Sequence, residues 1–287
     1  MLSIQSILSP SIKKLRSSDS PVLDSEVLLS FVIKKPKEFL FAHPEFAPTA
    51  KQISHFKKLI ARRAKGEPIA YLIGHKEFYG LDFEINKNVL IPRPETELMV
   101  EEVVKKIDRL KIILIDVGTG SGCIPIAILK TIKNTATIKC FAIDISPGAI
   151  ATAKRNAKKH NVKIKFLHGN LLEPMMSQLT QYSKKNKIII TANLPYLTTK
   201  QYRASTSIQH EPRLALVADK SGLALYEQLL KQISVLSKIN ITLFFEIDPS
   251  QARAIIILIK KYLPLAEVKI KNDYAGKKRL VIIDCRL

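Results

Sequence analysis

Apolar residues recur at helical spacing through the first part of the chain and then switch to an alternation of strand-like and helix-like runs. Leu2, Ile4, Ile7 and Leu8 open one apolar stripe, and Val27, Leu28, Phe31 and Val32 form a second that Asp24 is placed to cap. A third helix is predicted from about Thr49 to Lys65, with Ile53, Phe56, Leu59 and Ile60 on one face; Gly66 ends it and Pro68 follows. Between 69 and 91 apolar and polar residues alternate around Gly74 and Gly80, and Phe83–Ile85 with Val89–Ile91 predict a hairpin. From about 94 the pattern predicts a helix over 94–107, a strand at Lys111–Asp116, a helix to about 132 and a strand at Ile138–Asp144. It continues with a helix over 147–160, strands at 163–168 and 187–192, a helix over 221–236, a strand at 241–247, a helix over 249–262 and strands at 266–271 and 279–285. Repeated βα units demand a mostly parallel sheet with helices on both faces. The last two strands have no helix between them, so one is expected to run antiparallel at the sheet's end.

Composition narrows the class. The chain has 287 residues, 46% hydrophobic and 25% charged, which is globular rather than disordered and long enough for one large or two modest domains. No apolar run approaches the roughly 18–20 residues of a membrane helix. The N-terminus lacks a long apolar core before a small-residue cleavage site, so no secretory signal is expected; its Ser and Lys content suits a transit peptide, but its spacing favours a first helix. Cys123, Cys140 and Cys285 form no CxxC pair and the six histidines show no paired ligand spacing. A reducing cytoplasm is expected, with no disulfide framework and no metal site. The net charge of +21 is concentrated beyond residue 85, most densely at Lys154, Arg155, Lys158, Lys159, Lys163 and Lys165. Such a cluster suits RNA, the ribosome or an acidic protein, and equally a solvated face in a lysine-rich chain, so charge alone assigns no nucleic-acid function.

The chemistry sits at two turns. Asp116-Val117-Gly118-Thr119-Gly120-Ser121-Gly122 lies between an apolar strand and a helix, where glycines let the backbone turn sharply and approach a ligand. Its GxGxG spacing is tighter than the GxGxxG that seats a pyrophosphate, so it suits a cofactor without phosphates. Asp144 ends the next strand, where a carboxylate can accept from both ribose hydroxyls. S-adenosyl-L-methionine, with ribose and adenine but no pyrophosphate, satisfies both features. Asn170 and Leu171 follow the third strand and would flank the adenine, although Leu171 suits ordinary core as well.

Asn193-Leu194-Pro195-Tyr196 follows the strand ending near Thr191, at a carboxyl end where α/β sheets bind ligands. Methylating a planar –NH2 group requires orienting a nitrogen whose lone pair is delocalised. The Asn193 side-chain oxygen and the Leu194 carbonyl can accept its two N–H bonds, Pro195 restricts residue 194 to an extended form that aims this carbonyl, and Tyr196 can stack on a flat group. Arg93 and Glu97 have a local role, since Pro94 and the acids suit a helix start, and a functional one, with Arg93 closing one side of the cleft. Glu211-Pro212 would border the substrate entrance.

These residues carry a resemblance that spans nearly the whole chain. Gly66-Glu67-Pro68-Ile69-Ala70-Tyr71-Leu72, Glu77-Phe78-Tyr79, Leu90-Ile91-Pro92-Arg93-Pro94-Glu95-Thr96-Glu97, the glycine turn, Asp144, Asn193–Tyr196 and Glu211-Pro212-Arg213-Leu214-Ala215-Leu216 resemble the release factor glutamine N5-methyltransferases, the HemK/PrmC family. The resemblance implies an α/β fold: a seven-stranded Rossmann-like S-adenosylmethionine-dependent methyltransferase domain at 94–287, a linking β-hairpin at 76–93, and a small N-terminal helical domain at 1–75 for substrate recognition. It implies methyl transfer to the side-chain amide of the GGQ glutamine in peptide chain release factors, by a cytoplasmic monomer that needs neither membrane nor nucleic acid. Cofactor contacts carry over to Gly118, Thr119, Gly120, Ser121, Gly122, Asp144, Leu171 and Asn193, and catalytic and substrate contacts to Asn193, Leu194, Pro195 and Tyr196. The family usually has Asn-Pro-Pro-Tyr; Leu194 replaces the first proline, while Pro195 remains to aim the carbonyl. Leu171 stands where relatives can have an aromatic. Asn-Leu-Pro-Tyr is also the form of rRNA adenine dimethyltransferases, so an rRNA or DNA adenine N6-methyltransferase is the alternative. A binding protein with a degenerate methyltransferase fold comes third, opposed by the intact Asp144 and Asn193.

Overall fold

In the central strands side chains on both faces are buried, which is possible only where helices cover both faces of a sheet. Ile112–Val117 (Ile-Ile-Leu-Ile-Asp-Val) is the clearest case, all six residues lying inside. The computed structural model describes residues 2–107, 111–133, 135–183, 186–205, 207–236 and 240–286, and its contacts divide the chain into two units. One comprises Met1–His75 with Thr206–His210, the other Lys76–Ser205 with Glu211–Leu287.

The first unit contains α1 (Ile4–Lys14), α2 (Pro21–Ile33), α3 (Lys37–Ala42), α4 (Ala50–Arg63) and α5 (Ile69–Ile73). Leu28, Leu29, Phe56 and Ile60 are at the centre of its core. Thr49 caps α4 through a capping box with Gln52. Asp24 is not the cap of α2 that the sequence suggests: Pro21 opens that helix, and Asp24 is buried within it, accepting from Arg63 Nε at 2.7 Å and Ser18 Oγ at 2.5 Å. Arg63 is largely buried too, and removing either partner would strand the other's charge away from water, which ties Asp24 to Arg63 and not to the helix end.

The hairpin of β1 (His75–Phe78) and β2 (Leu81–Glu84) lies in the second unit from Lys76 onward. Tyr79 (φ +53°) and Gly80 (φ +70°) form its two-residue turn, the left-handed pair that tight hairpins need. Val89–Ile91 does not pair as expected; Asn86 turns the chain first, its side-chain oxygen accepting from Asn88 N–H at 2.9 Å. The hairpin captures part of the basic cluster, since Arg155 pairs with Glu84 and Lys159 with Asp82.

Then come α6 (Glu97–Lys106), β3 (Ile112–Val117), α7 (Cys123–Thr131), β4 (Ile138–Asp144), α8 (Pro147–Lys159), β5 (Lys165–His168), α9 (Met176–Ser183), β6 (Lys187–Ala192), α10 (Thr199–Ala204), α11 (Asp219–Gly222), α12 (Ala224–Ser234), β7 (Asn240–Glu246), α13 (Ala252–Tyr262), β8 (Glu267–Asn272) and β9 (Lys278–Arg286). The strand order is β5-β4-β3-β6-β7-β9-β8. All pairings from β5 to β7 are parallel, and β9 runs antiparallel to both β7 and β8. The antiparallel strand is therefore one position in from the edge, not at it. The order reverses between β3 and β6, and the crevice at such a switch point is where open α/β sheets bind ligands. Among the described residues no helix is long and apolar enough to cross a membrane, and no group of three His, Cys, Asp or Glu could hold a metal ion. The three cysteines are free and buried.

Candidate active site

A cavity of about 180 Å³ opens at the carboxyl ends of β3, β4 and β6. Gly118, Thr119, Gly120 and Ser121 form one wall, Asp144 and Leu171 another, and Asn193 and Leu194 a third. Gly122, Pro195 and Tyr196 are not among the described residues that line it.

The glycine turn is braced from within. The N–H groups of Gly118 and Thr119 donate to the Ile143 carbonyl at 2.9 and 3.0 Å, that of Gly122 to Thr119 at 2.8 Å, and that of Gly120 to Asp144 Oδ2 at 2.8 Å. These amides are therefore already paired, and the turn offers no cradle for a phosphate. A side chain at residue 118 would meet Leu194 Cδ2 at 3.0 Å, and one at residue 122 would press on Ala153 and Ile126. Gly122 thus serves the packing of α7 against α8.

Asp144 accepts from Gly120 and Ser146 N–H, both at 2.8 Å, through different oxygens. Each carboxylate oxygen has a second lone pair, and the residue faces the cavity. Burial raises its pKa, opposed by these backbone bonds. Leu171, at φ +50°, carries its side chain into the wall, and Ile145, half exposed in the same cavity, supplies a second apolar surface that the sequence did not single out. Asn170 also lines the cavity while donating to Glu173 Oε1 at 3.0 Å. A carboxylate, apolar walls and a turn whose Gly118, Thr119, Gly120 and Gly122 amides are already paired suit a nucleoside that carries no phosphate.

Asn193 follows β6 directly, and its Nδ2 donates to Thr96 Oγ1 at 3.3 Å. Beneath it the turn is clamped. Leu194 N–H donates to the Tyr226 hydroxyl at 3.2 Å, and that hydroxyl donates to the Glu246 carbonyl. The Tyr196 carbonyl accepts from Gln251 Nε2 at 3.1 Å, and the Tyr196 hydroxyl donates to Glu246 Oε1 at 3.4 Å. Tyr196 thus points to the Glu246 carboxyl, and burial beside it raises the phenol's pKa well above its ordinary value. Gly222 (φ +84°) lets α11 approach: a Cβ there would sit 1.9 Å from the Tyr196 carbonyl oxygen. Gly222→Ala is expected to cost roughly 2–4 kcal/mol, from strain at positive φ together with overpacking; the urea unfolding midpoint checks this, and an unchanged midpoint would show the turn is not clamped there.

Arg93 and Glu211, 118 residues apart, join at 2.5 Å, and the other Glu211 oxygen accepts from Ile91 N–H at 3.1 Å. Arg93 and Pro212 both line the cavity, as the sequence suggested. Glu97 instead holds the hairpin, accepting from Tyr79 N–H at 2.8 Å. Thr96, Tyr226, Glu246 and Gln251 were not foreseen. Glu246 had a legible signal, an acid closing a buried apolar strand as Asp144 does; the others had none.

Two buried carboxyls in this region are shifted. Burial pushes Asp116 up to about 6, although Thr191 Oγ1 donates to it at 2.6 Å, and pushes Glu246 up to about 7. A raised carboxyl binds its proton more tightly in the folded state, so folding loses stability as pH climbs from its ordinary value near 4 to the raised one. Relative to Asp116→Asn, the wild-type chain is expected to lose roughly 3 kcal/mol between pH 4 and 7. Urea titrations of both chains across that range measure the difference, and a constant difference would refute it.

Residues 110–241 match the family model described as a methyltransferase domain, and residues 7–74 the one described as the PrmC N-terminal domain. The first match contains the glycine turn, Asp144 and Asn193, so the class is that of the methyltransferases. The chain is 33% identical over 266 residues to the release factor glutamine methyltransferase of Bacillus anthracis, covering 90% of this chain and 91% of that protein. It is 36% identical over 265 residues to the bifunctional methyltransferase of Rickettsia typhi, covering 84% of this chain and 49% of that longer protein. A crystal structure of the hMettl16 catalytic domain in complex with MAT2A 3'UTR hairpin 1 shares the fold, with TM-score 0.55 at 14% identity over 90% of this chain and 91% of that one. The chain belongs to the release factor glutamine methyltransferase family.

Proposed function

We propose that this enzyme methylates the side-chain amide nitrogen of the glutamine in the GGQ motif of peptide chain release factors, with S-adenosyl-L-methionine as the methyl donor. The observation that carries the reading is the position of Asn193, at the end of β6 in the wall of the cavity that Asp144 and the glycine turn also line. The walls fit the donor. Asp144 keeps lone pairs for the ribose hydroxyls, Leu171 and Ile145 suit the adenine, and the paired amides of the turn match a cofactor that brings no phosphate. When bound, it supplies a methyl carbon made electrophilic by its sulfonium.

This chain's residues then have to orient a weak nucleophile. The lone pair of a glutamine amide is delocalised into its own carbonyl. With Asn193 Nδ2 engaged by Thr96, the Asn193 oxygen is the acceptor left for one substrate N–H, and the Leu194 carbonyl takes the other. Two acceptors fix the nitrogen and favour the positive charge that grows on it as the new bond forms. The nitrogen gives up one proton to solvent, so no strong base is needed. Leu194, buried against Gly118, joins the acceptor site to the cofactor wall. Pro195 and Tyr196 hold the turn in shape from outside the cavity.

In this reading residues 1–75 recognise the release factor, 76–93 link, and 94–287 carry the chemistry, in a cytoplasmic monomer that requires no nucleic acid. The deciding experiment incubates the protein with a purified release factor and isotopically labelled S-adenosylmethionine, followed by mass spectrometry of the GGQ peptide. Label on that glutamine is the expected result. A bare GGQ peptide would refute the proposal, and label on RNA adenine would point to the adenine N6 reading.

A further inference from the structure

The dense basic run along α8 and β5 is divided by the fold into two sets with different surroundings. Arg155 and Lys159, one turn apart on α8, meet acids of the hairpin: Glu84 at 2.7 Å and Asp82 at 2.5 Å. Lys154 and Lys158 are also one turn apart on that helix, but they line a broad groove of about 900 Å³. Lys139 on β4 and Lys163 and Lys165, which lead into β5, line the same groove. All five lysines are exposed, and among the described residues none is paired with an acid. The structure thus neutralises one pair of cations and gathers five others, uncompensated, around a single concavity.

The lining says what such a groove can hold. Among the described residues it contains no acid, hydroxyl or amide side chain; everything besides the lysines is apolar. Phe166 is partly exposed in it, and Lys165 Nζ lies 5.9 Å from the centre of the buried Phe141 ring. Lysine side chains only donate. An extended peptide brings an N–H group at nearly every residue, and these would find no side-chain acceptor here. A phosphodiester chain brings anionic acceptors at regular intervals and bases with flat apolar faces. A row of cations beside an aromatic surface is the arrangement that binds single strands, and RNA is the nucleic acid that presents unstacked, single-stranded loops.

We infer that the groove at the amino ends of β4 and β5 is a docking surface for single-stranded RNA, held by lysine–phosphate contacts and by a base against Phe166. Phosphate contacts carry no sequence information, and the groove has no amide, hydroxyl or guanidinium to read base edges, so binding is sequence-tolerant. The surface is separate from the candidate active site. β4 serves both: Ile138–Phe141 line the groove, whereas Ile143 and Asp144, toward the carboxyl end, line the cavity. RNA in the groove leaves the cavity open, and the inference does not depend on the methyl-transfer reading, which needs no nucleic acid.

The test measures fluorescence anisotropy of a labelled oligouridylate of about 12 nucleotides with the full chain, from about 50 to 200 mM salt. Lys154→Gln/Lys158→Gln and Lys163→Gln/Lys165→Gln are each expected to weaken binding about 10-fold or more at the low-salt end. Each is also expected to reduce the slope of log Kd on log salt by about 1.4, two contacts at about 0.7 apiece for a single strand. Arg155→Gln/Lys159→Gln removes the same formal charge from cations that are already paired, and is expected to stay within about 3-fold of wild type. Phe166→Leu keeps the apolar floor and loses the ring, and is expected to weaken binding about 5-fold or more at an unchanged salt slope. Equal losses in all three double variants would trace binding to net charge and overturn the inference. It would also be overturned by a wild type that binds no oligouridylate, or by a polyglutamate of equal charge bound as tightly as the RNA, which would make the groove a protein-docking site. Should Phe166→Leu fail to fold, the three double variants, all at exposed positions, decide alone.

Discussion

Asn193→Ala is expected to lower kcat on a release factor by about 10²–10³-fold, the usual consequence of deleting one of a few groups that meet developing charge. Cofactor affinity should move only a few-fold. In the proposed mechanism the amide acts on the nitrogen under attack, so its loss falls on the transition state and leaves the donor's other contacts in place. The turn itself should survive, since Leu194 N–H, the Tyr196 carbonyl and the Tyr196 hydroxyl keep their partners on Tyr226, Gln251 and Glu246. Single-turnover kinetics with titration of S-adenosylhomocysteine separate the two quantities. Near-normal turnover would remove Asn193 from the mechanism.

Asp144→Ala is expected to act in the opposite sense, weakening S-adenosylhomocysteine binding by roughly 100-fold while the rate at saturation falls less. Two charge-assisted bonds to ribose hydroxyls account for a loss of that order. A second effect adds to it. Gly120 and Ser146 N–H both lose their acceptor, so the glycine turn loosens as well. Asp144→Asn, which keeps one oxygen, should fall between the two. Calorimetry measures all three affinities, and equal dissociation constants for wild type and Asp144→Ala would show that this carboxylate holds no ribose.

The elements that were readable in advance are those with one dominant physical cause. β3, β4, β6 and β7 announce themselves as apolar runs because both faces of the sheet are covered. α4 is readable from its stripe and its terminal residues. The hairpin was misplaced because alternation from 69 to 91 fits more than one pairing. The choice fell to the left-handed Tyr79-Gly80 turn and to Glu97, which holds Tyr79 from 18 residues away. Asp24 looks like a cap until Arg63, 39 residues on, is seen to claim it. The short helices α9 to α11 escaped notice because they span too few turns to show a period.

Local order in this chain determined which residues are candidates for the chemistry. Glycines after a buried strand, an acid at the end of the next, and Asn-Leu-Pro-Tyr after a third are legible because each feature depends on neighbours within a few positions. Strand order, by contrast, was decided in three dimensions, and with it the meeting of Arg93 with Glu211, of Thr96 with Asn193 and of Tyr196 with Glu246. Those contacts join residues that are distant along the backbone. A hydrogen-bond donor in a sequence does not name its acceptor; only the closing of the sheet, which sets the ends of β6 and β7 side by side, selects which buried oxygen each proton meets.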